Sequence, residues 1–453
     1  MSFTIPQWEA GRGIPASPEF PAMNNYRLGL LAAFHENSSY YEIWTRLKGL
    51  ISRDDFIDDN VQTDTTAISI LLDHTKDWVM LSTLHGIPRQ VMGPILLGTI
   101  AAEFHPSRPR AQRPITYNGD GPGIYIAQIS IEGRQGRGLN CHETESLVSW
   151  LSTYVYVFEK FEKNPDANLS TFSPREKSRF EKVASIDSQY GLKPSDMPKL
   201  QPRFISGPVA CRRLRRMIHM LQSRCAVARA GSDADREAWQ ISLPSMVGCA
   251  DNINERVVAH HPNPARTDSL AYTTYTFGLV LCVLKEMDLT PEVTTVPVLR
   301  VWDYGQLRAA EMLVTLLASS LISQDGYNVV QGGNRVGRGV GPDDRNYVLA
   351  NCPFLRENLE ATRHNLHQRS AFLQATNDAQ HGGFQAKFTK LKNDLSIVED
   401  KLSELNILLD QVRADTKKIE LKTAEIERQN RLRAETNALM SQLTSLLSSK
   451  LSD

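Results

Sequence analysis

The residues best suited to a chemical task are arginines. CRRLRRMIHMLQSRCAVAR, residues 211–229, carries six arginines in nineteen positions and no carboxylate, and with Arg203 the stretch 201–232 holds seven arginines and no acid. Over the whole chain 51 lysines and arginines balance 51 aspartates and glutamates, so attraction for a polyanion can come only from how charge is distributed. A solvated helix ordinarily mixes signs, because opposite charges four residues apart stabilise it and like charges destabilise it. A guanidinium also forms paired hydrogen bonds to phosphate that an ammonium does not match. The predicted chemistry is contact with phosphates without base specificity. Its candidates are Arg203, Arg212, Arg213, Arg215, Arg216 and Arg224. The alternative is that acids from other segments pair with the same arginines.

A second basic element is QGGNRVGRGVGPDD, residues 331–344, a loop by virtue of its five glycines and one proline. It lacks the Gly-Lys-Ser/Thr ending of a nucleotide-hydrolysing loop and does not lead from a strand into a helix. Arg335 and Arg338 there either contact a phosphate backbone or sit on a plain solvated connection. His260-His261 and His364 with His367 have neither a carboxylate partner nor the spacing of a zinc hydrolase. Asp54, Asp55, Asp58 and Asp59 lack the alternation and glycine of a calcium loop and read as solvated helix ends. No nucleophile elbow is present, and no Cys/His pair has an orienting group. Six scattered cysteines, Cys141, Cys211, Cys225, Cys249, Cys282 and Cys352, read as buried free thiols in a reducing compartment. Neither a cofactor nor a metal is expected, and the chain is read as a non-enzyme.

These side chains need elements to hold them. On a helical wheel Cys211, Leu214, Met217, Ile218, Leu221 and Cys225 form one apolar stripe, with Arg212, Arg216, His219 and Ser223 opposite and Arg213, Arg215 and Arg224 flanking. The segment is predicted to be fixed to a core on one side and cationic on the other. Upstream, the spacing from Tyr26 to about Thr99 is helical, IYIAQISIEG alternates as a short strand or hairpin, and Glu143 to Lys163 reads as a central helix. Ser173 and Pro174 mark the start of another helix. Downstream, Tyr272–Met287 and Tyr304–Ile322 read as helices separated by LTPEVTTVPVLR, and a further helix runs from about Phe354 to Ala379 before His381-Gly382-Gly383 breaks it.

The most regular pattern lies in the last seventy residues. Phe388, Leu391, Leu395, Val398, Leu402, Leu405, Leu409, Val412, Thr416, Ile419, Thr423 and Ile426 recur in alternating steps of three and four, the seam of a coiled coil. Past Ile426 the frame meets Asn430, Arg433 and Asn437, while Leu432, Leu439, Leu443 and Leu446 fit a frame shifted by about one residue, so a discontinuity in the coil is expected near residue 430. Leu391, Leu395, Val398, Leu402, Leu405, Leu409, Val412, Ile419 and Ile426 are the candidate self-association residues. The alternative is that this helix packs back on its own domain or stands alone in solvent.

The fold expected is mainly α: a two-lobed helical body with a small β element, an extended N-terminal arm and a C-terminal coiled coil. Residues 1–25, rich in proline, form the arm, 26–230 and 231–380 the two lobes, and 384–453 the coil. The opening MSFTIPQWEAGRG does not resemble a secretory signal. Phe277 to Leu284, the longest apolar run, is far shorter than the ~20 residues of a membrane span. A soluble, intracellular protein without membrane contact is expected.

In layout the chain resembles the nucleoproteins of negative-strand RNA viruses. The local likeness lies in ETESLVSWLSTYVYVFEKFEKNPDANLSTFSPREKSRFEKV, residues 143–183, an acidic-start helix with aromatics followed by a proline-containing loop and a charged helix. The resemblance implies two lobes clamping single-stranded RNA through its backbone, with the 211–229 helix lining the cleft and arms linking protomers into a homo-oligomer. It further implies a viral polymerase or phosphoprotein as partner and a location in the virion and host cytoplasm. Two other readings stay open at this point. One is a coiled-coil scaffold without a nucleic-acid role; the other is an enzyme on a phosphorylated substrate, with Arg335 and Arg338 as clamps.

Overall fold

The computed structural model describes residues 17–21, 23–51, 77–165, 172–189, 202–260, 275–302, 306–329, 345–378 and 384–450. Fifteen helices and three strands follow one another among them. Helices α1 (Asn25–His35), α2 (Tyr40–Ile51), α3 (Asp77–His85), α4 (Arg89–Leu97) and α5 (Ile100–Glu103) precede strand β1 (Gly123–Ile131). Then come α6 (Cys141–Lys163), α7 (Pro174–Ser188), α8 (Pro208–Arg224), α9 (Ala226–Ala230) and α10 (Asp233–Glu237), followed by β2 (Ser245–Ala250). After α11 (Ile253–His260), α12 (Tyr275–Glu286), β3 (Pro291–Arg300) and α13 (Leu307–Leu317), the chain ends in α14 (Arg345–Asp378) and α15 (Phe384–Lys450).

Strand β1 is buried along its whole length. It forms no hairpin with its neighbours in sequence. Instead it is the middle strand of an antiparallel sheet in the order β2–β1–β3, paired Ile126 to Val247 on one side and to Val296 on the other. Successive side chains of a strand point to opposite faces, and each face here has its own core. Ile124 and Ile126, with Val247 and Val296, face a core built by α1 to α5 and α13. Ala127, Ile129 and Ile131, with Met246 and Val293, face a second core built by α6, α7, α8 and α12. The one amide in the strand, Gln128, is fully buried and fully engaged: Nε2 donates to the carbonyls of Gly98 and Leu243 and to Ser245 Oγ, and Oε1 accepts from the Ala101 N–H at 2.7 Å. Buried polar groups need such partners.

This arrangement corrects one expectation: LTPEVTTVPVLR is not a connection between helices, and most of it is the edge strand β3. The sheet spans the boundary expected at residue 230, joining 123–131 to 245–250 and 291–300, and both cores draw on residues from either side of 230. The division observed falls between residues 369 and 370, giving units 1–369 and 370–453.

Helix α14 begins nine residues before the expected Phe354 and carries Pro353 inside it. Its stretch before residue 370 is fastened to the rest of the first unit through Asn365 and Arg300 among others. Buried Asn365 donates to the carbonyls of His85 and Ile87 and accepts from the Arg89 N–H. Arg300, its side chain fully buried, pairs with Glu357 at 3.0 Å and lies over the Phe354 ring at 4.7 Å. In the second unit α15 runs unbroken across Asn430, so the shift of heptad frame there is a change of seam on a continuous helix. All nine candidate self-association residues are exposed, Leu391 at 68% and Leu409, the least, at 44%. Most of the proline-rich arm, the acidic group 54–59, the glycine loop with Arg335 and Arg338, and the break at 381–383 lie outside the described residues.

Candidate nucleic-acid interface

Helix α8 starts at Pro208, whose missing N–H suits the first helical position. The turn leading into it is tied down by Asp187 of α7. The Tyr154 hydroxyl donates to Asp187 Oδ1 at 2.6 Å, the Arg203 N–H donates to Oδ2 at 3.1 Å, and the Phe204 N–H donates to the Tyr154 oxygen. Burial pushes the Asp187 carboxyl up to about 6 in spite of those donors. Within α8, Cys211, Leu214, Met217, Ile218 and Leu221 enter the second core, and Cys225 just beyond packs on Cys141 and Ala228. The predicted stripe is therefore the anchoring face.

The cationic side is more divided than its composition implies. Arg212 and Arg215 are exposed, Arg213 and Arg216 half-buried. Among the described residues no carboxylate pairs with Arg212 or Arg213. Arg215 pairs with Glu159 of α6, and Arg229 pairs with Glu145 at 2.9 Å. Arg203 is half-buried and its backbone is committed to Asp187.

Arg224 is the clear correction. It is not on the surface at all: it is 4% exposed, bound to Asp325 and to the Ser242 carbonyl, with Nε donating to Gln240 at 3.2 Å. Asp325 also takes Arg27 of α1 at 2.6 Å, so two buried guanidiniums share one carboxylate. Burial lowers the Arg27 guanidinium from its ordinary value, and Asp325 opposes that. This group is a structural joint, and it removes Arg224 from any contact with a ligand in solvent.

A basic and aromatic group on the other flank of α6 escapes a reading based on arginine density. The Arg179 guanidinium of α7 lies 4.4 Å from the centre of the Tyr156 ring, Lys182 Nζ lies 4.9 Å from that of Trp150, and Lys160 reaches Tyr156 at 5.6 Å. Its signal in PREKSRFEKV is that Arg179 and Lys182 are three apart and flank the buried stripe that holds Phe180 and Val183. Tyr156 and Glu159 lie about a turn apart on α6 and meet α7 and α8 respectively. Cations of both helices therefore border the same helix. Glu176 tempers this patch, since Lys160 and the Ser173 cap hold its carboxyl down at about 2 and keep it ionised.

Other chemistry finds little support in the geometry. Among the described residues no group of three His, Cys, Asp or Glu side chains could hold a metal ion. Burial pushes the thiols of Cys225 and Cys282 up to about 12, so both stay protonated at neutral pH. Five of the six cysteines are buried as expected; Cys352 is exposed instead. A pocket beneath α8, lined by Leu221, Arg224, Gln240 and Tyr327 among largely apolar residues, sets no acid beside a base. Among the described residues no helix is long and apolar enough to cross a membrane.

Comparison of the chain with protein-family models, curated proteins and solved structures finds no match. The class that the fold itself defines is a mainly helical protein organised around a buried three-stranded sheet, with a long exposed helix after it.

Proposed function

We propose that the protein is a structural RNA-binding protein of the nucleocapsid kind, which holds single-stranded RNA by backbone contacts and self-associates. The observation that carries this reading is α8: a helix fixed in the core by one face, with four arginines outside the core, no acid along it, and Arg212 and Arg213 free of carboxylate partners among the described residues. Arg215 and the Arg179–Tyr156 and Lys182–Trp150 pairs, all in contact with α6, support the same reading, since cations interleaved with aromatic rings suit the phosphates and bases of a single strand. Arg335 and Arg338 remain candidates on the glycine loop, and a viral polymerase or phosphoprotein remains the partner this reading implies.

The test is binding of a short single-stranded RNA by the full chain and by Arg212→Glu/Arg213→Glu at several salt concentrations. Each lost phosphate contact reduces the slope of log affinity against log salt by about 0.7. The double variant is expected to bind about tenfold or more weakly, with a slope shallower by about 1.4 and unchanged helical content. Equal affinity for both chains, or protein that binds no RNA at low salt, would refute the reading.

One specific observation favours a second reading, that of a scaffold without nucleic acid. Arg215, Arg224 and Arg229 each have an internal carboxylate, and the seam of α15 is exposed from Leu391 to Ile426. A scaffold keeps its assembly when treated with ribonuclease and purifies with the ultraviolet absorbance of protein alone.

A further inference from the structure

From Leu391 to Ile426 the seam of α15 exposes leucine, isoleucine and valine, and apolar area of that extent calls for a partner. The reading above makes the partner another copy, and the inference here rests on it; what remains is the direction in which two copies lie. With Leu395, Leu402 and Leu409 at a positions and Leu391, Val398, Leu405 and Val412 at d positions, the residues bordering the seam are fixed. Asp394, Lys401, Leu408, Asp415 and Lys422 occupy g, and Lys392, Glu399, Asn406, Arg413, Glu420 and Glu427 occupy e.

In a parallel pair each g residue meets the e residue five positions on in the other chain. That sets Asp394 beside Glu399 and Asp415 beside Glu420, like charges in both cases, and Leu408 beside Arg413; Lys422 with Glu427 is the one opposite pair. Reversing one helix changes the outcome. When Leu405 of one copy faces Leu409 of the other, Leu402 faces Val412, Val398 faces Thr416, Leu395 faces Ile419 and Leu391 faces Thr423. The whole seam is then matched a to d. Along the g edge Asp394 meets Lys422 and Lys401 meets Asp415, each twice by symmetry. Leu408, the one apolar g residue in this stretch, meets its own counterpart at the centre. On the e edge Lys392 lies toward the Glu420–Glu427 end.

The limits of the pattern agree with this alignment. In it, residue 384 of one copy is level with residue 430 of the other. Helix α15 begins at Phe384, and the first heptad frame gives way at Asn430. The self-complementary stretch therefore fills the span from the helix start to the change of frame. We infer that α15 pairs with a second copy of this chain as a two-stranded antiparallel coil over residues 384–430, leaving 431–450 beyond the overlap.

The experiment uses the full chain with Cys352→Ser, which removes the exposed thiol, and a spin label at Asn393→Cys or Ile407→Cys, both on the outer edge of the coil. At about 1.5 Å per residue an antiparallel pair sets the two 393 positions about 42 Å apart along the axis, while the two 407 positions are level and about 20 Å apart across two helices. Short distances at both positions mean a parallel coil and overturn the inference. Protein that scatters light as a monomer and gives no intermolecular distance at either position overturns self-association itself, and the inference with it. A charge test has opposite signs for the two arrangements. Asp394→Lys/Asp415→Lys repels Lys422 and Lys401 in the antiparallel pair, so its dissociation constant rises by about tenfold. In a parallel pair the same change creates attractions to Glu399 and Glu420, and tighter association would count against the antiparallel coil.

Discussion

Asp187 shows how one buried carboxyl fixes the turn that leads into α8 and sets a pH dependence. Its folded value of about 6 lies above the ordinary aspartate value of 3.8, so the native state holds the proton more tightly than the unfolded chain does. The stabilising contribution is present in full below pH ~4 and is lost as pH rises through about 6. Removing the charge with Asp187→Asn abolishes this loss. The stability of the variant relative to the parent, measured by urea unfolding, is expected to improve by about 2 kcal/mol between pH 4 and pH 7. A difference that stays constant over this range would refute the assignment. Arg203, read from the sequence as a phosphate contact, sits on the same turn through its backbone, which composition alone does not reveal.

Among the elements, the joint between α1, α8 and the turn at 319–328 carries the sharpest energetic consequence. Asp325 serves both Arg27 and Arg224, and both guanidiniums are buried. Asp325→Asn leaves two interior charges without a counter-ion, and the loss expected in chemical denaturation is about 3–5 kcal/mol. A loss below ~1 kcal/mol would mean that solvent reaches this joint. The same joint explains what was legible beforehand. The apolar stripe of α8 is a local pattern, and every residue assigned to it is buried; the fate of Arg224 depends on a carboxylate about a hundred residues away, which no periodicity records. Likewise Ser173 and Pro174 were readable because capping is local, and the structure adds the reciprocal bond from Glu176. Strand β1 stood out because IYIAQISIEG alternates, a local pattern, although the structure buries both of its faces. Strand β3 did not, because Pro291 and Pro297 break its pattern; proline is tolerated there because β3 is an edge strand with a register shift between Pro297 and Leu299.

For the whole molecule, the division after residue 369 sets the unit that holds both hydrophobic cores apart from the one that carries the long helix. Both hydrophobic cores are complete before that point, so a chain ending at residue 378 is expected to keep the thermal unfolding midpoint of the parent within a few degrees. The same truncation should scatter light as a smaller species and still bind single-stranded RNA. Loss of the folded state on truncation would show that the long helix is needed for the body, and retained size would place self-association elsewhere. The heptad pattern made this helix the most readable stretch of the sequence, whereas the way the body is divided between two cores was not legible. The reason is that its partition is a sheet whose strands come from three distant segments, and cores built on either face of such a sheet are not consecutive in the chain.

That sheet also governs how the protein is made. On a ribosome, β1 emerges long before either neighbour: β2 is more than a hundred residues away, and the last of β3 follows β1 by roughly 170 residues. At translation speeds of about 5–20 residues per second the gap lasts on the order of 10–30 s. Until β2 has emerged GIYIAQISI, a stretch with no charge and no proline, has both edges open, and until β3 follows it still has one. Segments of that kind assemble with one another when left unpaired. The same strand that unites the two cores is therefore the segment of the nascent chain most in need of protection by a chaperone.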